Sequence, residues 1–337
     1  MHSDQRRSPS SQSAGTYAQP RRFVFVLIDN FTLLSFAAAI ECLRIANRMA
    51  ERTVYEWSVI GDSDDVIMCS AGARFHLDGP LCELGRDDTV LICGGIEIQQ
   101  AASKKVLNWL RREARRGLKM GGLCTASYLL ARAGLLDGKR ATIHWENHDS
   151  FAEEFPEVTL TKSVFTVDGA RMTTAGGTSS IDLMLNIIAQ DHDEKLANAV
   201  ADQLIYSSIR TDQDTQRLSV PTRIGVRHPK LSQVIQMMEA NIEEPISPAT
   251  LARDAGMSTR QLERLFRRYL SRSPKRYYME LRLQKARNLL MQTDMTVINV
   301  ALACGFSSPS HFSKCYRAHY NTTPYRERGS HSSRLSV

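Results

Sequence analysis

Apolar positions along the chain follow two regimes. In the first, short unbroken apolar runs alternate with longer segments of helical spacing. RFVFVLI (Arg22–Ile28) reads as a strand buried on both faces, and VYEWSVIG (Val54–Gly61), TVLICGG (Thr89–Gly95) and LKMGGL (Leu118–Leu123) as further strands. Between and after them, Phe31–Ala50, Gln100–Arg116, Thr125–Ala133, Ile181–Gln190 and Lys195–Ile209 have helical length and spacing. This alternation predicts an α/β fold, a doubly wound parallel sheet with helices on both faces. In the second regime, from Lys230 onward, every pattern is helical. LARDAGMSTRQLERLFRRY (Leu251–Tyr269) and VALACGFSSPSHFSKCYRAHY (Val300–Tyr320) repeat one design. An Ala stands four residues before a Gly (Ala252 and Gly256, Ala301 and Gly305), an apolar residue and a Ser follow, and an amphipathic segment closes the copy. Helix, tight turn and Ser-capped second helix spell a helix-turn-helix, here in tandem.

Capping assigns faces. Ser258 and Gln261 form a capping box. From that start Leu262, Leu265, Phe266 and Tyr269 fall on the inward face, and Arg260, Glu263, Arg264 and Arg267 on the outward one. Arg264 is placed to read guanine and Glu263 to accept from cytosine. In the second copy Ser308 caps, Pro309 opens the helix, and Phe312, Cys315 and Tyr316 turn inward. Ser308, Ser310, His311, Lys314 and Arg317 are the candidate contacts there, Arg317 for phosphate. His311 and Cys315 alone do not make a metal site, and no metal or cofactor is expected.

Charge sharpens the division. From Thr222 onward there are 19 Lys and Arg against 8 Asp and Glu, whereas residues 1–221 hold 24 against 28. A balance of +11 gathered in the repeat-bearing segment implies a polyanionic partner, double-stranded DNA. The basic face of Gln100–Arg116 reads as a solvated helix surface. At 337 residues the chain accommodates two cores, and it has no apolar run of membrane-spanning length. Residues 1–20, polar and Ser-rich, read as a disordered tail rather than a signal peptide. Seven Cys without CxxC spacing fit a reducing cytoplasm. The expected order is a sensor domain 21–209, a linker 210–229, a DNA-binding domain 230–328 (helix-turn-helix 248–269 and 296–320) and a tail 329–337.

The chemistry of the first domain centres on GGLCTAS (Gly121–Ser127), a strand running into a Cys that opens a helix. That is the pattern of a nucleophile elbow, and a helix N-terminus favours thiolate. In ATIHW (Ala141–Trp145), His144 ends a short strand that reaches the same sheet edge if parallel. Cys124 and His144 therefore read either as a catalytic pair or as a small apolar residue and a satisfied strand-end histidine.

GLCTASYLLARAGLLDGKRATIHW resembles the PfpI-like, class I glutamine amidotransferase-like superfamily, especially its members fused to AraC-type DNA-binding domains, the GlxA family of regulators. TTAGGTSSIDLML (Thr173–Leu185), with Gly176, Gly177 and Asp182, is similar to that family as well. The repeats, 49 residues apart, and the closing TPYRER (Thr323–Arg328) resemble the AraC/XylS signature. The resemblance implies a flavodoxin-like sensor with a pocket around Cys124, and a transcription regulator working with RNA polymerase, often as a homodimer. LIDNFTLLSFAAAIECLRIAN (Leu27–Asn47) and DQDTQR (Asp212–Arg217) look most like arginine-responsive activators, with betaine and carnitine regulators similar too. Enzymatic relatives carry an acid just after the first strand. Here Asn30, Phe31, Thr32, Leu33 and Leu34 occupy that loop without one, which argues for binding over turnover. Asp29, Glu41 and Glu146 are candidate carboxylates for a cationic ligand, the amides at Cys124 and Thr125 for its carboxylate, and Trp145 for a cation–π wall. A DNA-tethered hydrolase and a thiol sensor, both dependent on Cys124, are the alternative readings.

Overall fold

The computed structural model describes residues 19–62, 65–217 and 220–333. The first domain runs β1 (Arg21–Leu27), α1 (Leu33–Met49), β2 (Tyr55–Gly61), β3 (Val66–Met68), β4 (Arg74–His76), β5 (Gly79–Pro80), β6 (Thr89–Cys93), α2 (Lys104–Arg115), β7 (Lys119–Leu123) and α3 (Ser127–Arg132). It continues with β8 (Arg140–Ala141), α4 (His148–Glu154), β9 (Thr159–Leu160), β10 (Phe165–Asp168), β11 (Arg171–Thr174), α5 (Ser179–Asp191) and α6 (Glu194–Gln203). The second domain is all-helical: α7 (Val220–Ile224), α8 (Pro229–Ala240), α9 (Pro248–Asp254), α10 (Thr259–Leu270), α11 (Pro274–Gln292), α12 (Val297–Ala303), α13 (Pro309–Tyr320) and α14 (Pro324–Ser333).

Among the described residues the main sheet has the order β10-β11-β7-β6-β1-β2-β5, parallel except for the β10–β11 hairpin. Its centre explains the unbroken apolar runs. Along β1, Phe23, Phe25 and Leu27 face a core built with α1, α5 and α6, while Val24 and Val26 face one built with α2, α3 and α4. Each fully buried Phe there contributes about 1.5–3 kcal/mol. The four expected strands and the helices between them are present. The antiparallel edge was not expected, and α6 ends at Gln203 rather than Ile209. It stops because Ile205 takes a left-handed φ of 55° and the chain folds back. The basic side chains of α2 are largely paired: Arg111 donates to the Ala133 and Arg132 carbonyls, and Arg112 and Arg116 hold the buried Glu113.

The linker expected over 210–229 is mostly structured. Arg210 forms an ion pair at 2.7 Å with the buried Asp182, which also accepts from the Tyr206 hydroxyl. Gln216 donates to Thr142, Ile143 and Ser163 in the sensor domain. Val220 of α7 belongs to the first core of the helical domain. Leu218 and Ser219, within the expected linker, lie outside the described residues. Of the tails, residues 1–18 and 334–337 lie outside them too, while 329–333 continue α14.

The helical domain holds two separate cores. Leu251, Leu262, Phe266 and Tyr278 mark one, and Leu289, Val300, Phe312 and Tyr316 mark the other. α11 contributes its first half to the former and its second half to the latter.

Candidate functional site

The elbow is real in its backbone. Cys124 sits at φ 62°, a left-handed conformation for a residue with a side chain, between β7 and a turn of 3-10 helix that leads into α3. The opposite wall must be a glycine: a Cβ on Gly176 would stand 2.7 Å from the Cys124 sulfur. In front of the thiol is Thr32, whose hydroxyl donates to Sγ at 3.5 Å. The loop without a carboxylate therefore presents a neutral hydroxyl to the sulfur.

The protonation of Cys124 departs from the sequence expectation. Its thiol is only 5% exposed, and burial pushes its pKa up, with the hydrogen bonds from Thr32 and the Thr125 amide opposing and Glu146 adding to the rise. Desolvation outweighs the short helix terminus, so the thiol is held neutral. The groups that act on the thiol are Thr32, Thr125, Glu146 and Ser35. β8 pairs with β9 away from the main sheet, so His144 does not end a strand of that sheet. It caps the 3-10 turn Trp145–Asn147, its Nδ1 accepting from the Glu146 amide at 3.5 Å. Burial lowers its pKa, with Glu146 opposing.

Cys124, Thr125, His144 and Glu146 nonetheless share one cavity of about 910 Å³. Among the described residues its rim carries Glu97, Glu146, Glu153, Glu154 and Asp294 against one cation, Arg132, which Glu154 holds at 3.2 Å. Tyr128 adds a ring whose hydroxyl donates to Glu154 at 2.8 Å. Three expected ligand residues lie elsewhere. Asp29 is exposed and accepts from Asn30, and Glu41 pairs with Arg44 at 2.6 Å on the surface of α1. Trp145 lies under the guanidinium of Arg217, 4.7 Å from its ring centre, and does not line the cavity. One signal for the carboxylates missed was present: Glu153 and Glu154 end α4, where the helix dipole disfavours negative charge.

The second candidate surface is built as its caps imply. Ser258 and Gln261 make the reciprocal capping box, and Ser308 accepts from the His311 amide at 3.3 Å. Leu262 and Phe266 on α10, and Phe312 and Tyr316 on α13, are buried. Arg260, Arg264, Arg267, Ser308, Ser310, His311, Lys314 and Arg317 are exposed. Glu263 is half-buried, 3.9 Å from Arg267, and His311 Nε2 lies 3.4 Å from the Cys315 sulfur. A basic side chain braces each turn: Lys230 donates to the Gly256 carbonyl at 2.6 Å, and Arg282 to the Cys304 and Gly305 carbonyls at 2.8 and 2.7 Å. Two braced turns thus present the outward faces of α10 and α13, joined through α11.

Comparison with known proteins agrees with both halves. Residues 21–190 match the DJ-1/PfpI family and residues 251–330 a helix-turn-helix domain family. The HTH-type transcriptional regulator CdhR of Pseudomonas aeruginosa is 45% identical over 306 residues, 91% of this chain and 91% of that one. The HTH-type transcriptional regulator GbdR of the same species is 42% identical over 309 residues, 92% of this chain and 84% of that one. The crystal structure of a THiJ/PfpI family protein from Pseudomonas syringae, 19% identical with a TM-score of 0.51 over 69% of this chain and 93% of its own, shares the fold. With an elbow cavity in front and twin braced helix-turn-helix units behind, the chain belongs to the DNA-binding transcriptional regulators that join a DJ-1/PfpI domain to an AraC-type helix-turn-helix domain.

Proposed function

We propose that this regulator senses a small cationic nitrogen metabolite, arginine in the first place, in the cavity beside Cys124, and activates catabolic genes in response. The carboxylate-rich rim carries this reading: Glu97, Glu146, Glu153, Glu154 and Asp294 surround a cavity with more than enough room for an amino acid. A guanidinium is bound by charge and hydrogen bonds together, which carboxylates supply. The ligand's own carboxylate falls to the main-chain amides at Cys124 and Thr125 and to His144. Tyr128 and the thioethers of Met291 and Met295 also lie on the wall, a surface suited to a quaternary ammonium, so betaine or carnitine is the second reading. Cys124, neutral and opposed by Thr32, serves as cavity floor.

On the DNA side, Arg260, Glu263, Arg264 and Arg267 read one major groove, and Ser308, Ser310, His311, Lys314 and Arg317 the next. Activation proceeds through RNA polymerase, and a homodimer would gain avidity from its four helix-turn-helix units. Among the described residues no helix is long and apolar enough to cross a membrane, and cytoplasmic action fits the free cysteines. Thermal-shift measurements on the full chain with L-arginine, glycine betaine and L-carnitine, against L-glutamate as the anionic control, test the ligand class. A cationic or quaternary probe should raise the melting point. No shift with any of the three, or an equal shift with glutamate, would refute it.

A further inference from the structure

The cavity has two owners. Cys124, Thr125, His144 and Glu146 belong to the sensor domain, but Met291, Gln292, Thr293, Asp294 and Met295 come from the DNA-binding domain. Those five residues are the end of α11 and the start of the loop into α12, and so part of the second helix-turn-helix half. Gln292 hydrogen-bonds across the domain boundary here. Gln99 Nε2 donates to the Gln292 carbonyl at 3.3 Å, and the Ser150 hydroxyl donates to Gln292 Oε1 at 2.7 Å. Asp294 is exposed to the cavity beside this contact, and its charge reaches the Tyr128 hydroxyl on the sensor side.

With the proposed cation-binding reading as its premise, we infer that the ligand site is bipartite, with Asp294 and Gln292 of the DNA-binding domain contacting the ligand. Carboxylates then stand on both sides of the domain boundary: Asp294 on one, Glu97, Glu146, Glu153 and Glu154 on the other. Their like charges repel across that boundary, Glu154 being offset by Arg132. A cation between them turns that repulsion into two attractions that share a charge. The ligand therefore fastens the second helix-turn-helix half to the sensor domain directly. Because the coupling is an equilibrium one, whatever moves that half on DNA changes ligand affinity by the same factor.

The test is calorimetric titration of L-arginine, glycine betaine and L-carnitine into the full chain, wild type and variants. Asp294→Asn keeps the shape and removes the charge, Asp294→Glu restores the charge, and Glu157→Gln removes an exposed carboxylate that does not line the cavity. For any probe the wild type binds, Asp294→Asn should weaken affinity about tenfold, equivalent to about 1.4 kcal/mol. Asp294→Glu should recover most of that loss, and Glu157→Gln should change nothing. Melting points without probe should agree, which excludes a folding defect. If the wild type binds a probe and Asp294→Asn binds it within twofold, the bipartite site is wrong while the cation-binding reading stands. If no probe binds the wild type, both fall.

Discussion

The turn glycines of the two helix-turn-helix units share a sequence pattern but not an environment. Gly256 (φ 63°) and Gly305 (φ 73°) both occupy the left-handed region, where a side chain costs about 1–2 kcal/mol. Replacing Gly also restricts the unfolded chain, which offsets about 0.4–1 kcal/mol of that. On backbone grounds alone, Gly256→Ala and Gly305→Ala should each cost about 1 kcal/mol. Packing separates them. A Cβ at Gly256 meets nothing nearer than the mobile Lys230 Nζ at 3.7 Å. A Cβ at Gly305 would stand 2.6 Å from the Ile242 carbonyl oxygen and 2.7 Å from both the Glu243 oxygen and Pro245 Cγ. Those are backbone and ring atoms of the α8–α9 loop and cannot swing aside, so an overpacking cost of about 1–3 kcal/mol adds to the strain. Gly305→Ala should therefore destabilise the helical domain by about 2–4 kcal/mol, against about 1 kcal/mol for Gly256→Ala. The assay is urea unfolding followed in two channels. Trp57, Trp109 and Trp145 all lie in the sensor domain, so fluorescence reports that domain, whereas far-ultraviolet circular dichroism adds the helical one. Gly305→Ala should lower the dichroism midpoint and barely move the fluorescence midpoint. Equal dichroism midpoints for the two variants would refute the packing of the second turn against the first half.

Three further outcomes follow from the sites. Arg264→Ala should relax base preference at one operator position, whereas Arg317→Ala should weaken binding to all sequences and reduce the salt slope by about 1; a reversed pattern in mobility-shift titrations would exchange their roles. Cys124, neutral and 5% exposed, should react with iodoacetamide far more slowly than the exposed Cys82, and Cys124→Ser should keep the regulator's response to its inducer in a reporter strain. Loss of that response would favour thiol chemistry. Burial lowers the pKa of both His144 and His148 below the usual value of about 6.5. Above that pH both are neutral folded or unfolded and contribute nothing to pH dependence. As pH falls below it, the unfolded chain takes up protons first and stability drops until the folded-state values are passed. The fluorescence-detected midpoint should fall on acidification, and less in His148→Gln; an unchanged slope would place the effect elsewhere.

What the sequence could convey depended on the range of the interaction concerned. Caps and turns are local: Ser258, Gln261, Ser308, Gly256 and Gly305 each act within a few residues, and all were legible. The strand runs were legible because burial on both faces leaves no polar alternation to confuse them. Assignments that depended on distant partners were not. Asp29 and Glu41 lie near the first strand but not in the cavity, whose carboxylates besides the expected Glu146 come from the loop after β6 (Glu97), from α4 (Glu153 and Glu154) and from the loop after α11 (Asp294). Trp145 was a fair aromatic candidate, but its face was taken by Arg217, and nothing in the polar run Arg210–Pro229 announced that it docks. The thiolate expectation for Cys124 failed for a related reason: a helix terminus is visible in sequence, and desolvation by distant side chains is not.

The double anchorage of α11 has a consequence for the promoter rather than for the protein. At 19 residues the helix is about 28 Å long. It is seated in one core by Tyr278 and in the other by Leu289 and Leu290, with Arg282 and Gly305 locking the second half against the first. Such a frame cannot be stretched or twisted without opening a core. On the proposed reading, with each unit on its own box, the frame would act as a gauge for helical phase: one base pair inserted between the boxes would turn the second away by about 35°. Base changes within a box should then cost less than a change of spacing, because the spacing is set from inside the protein.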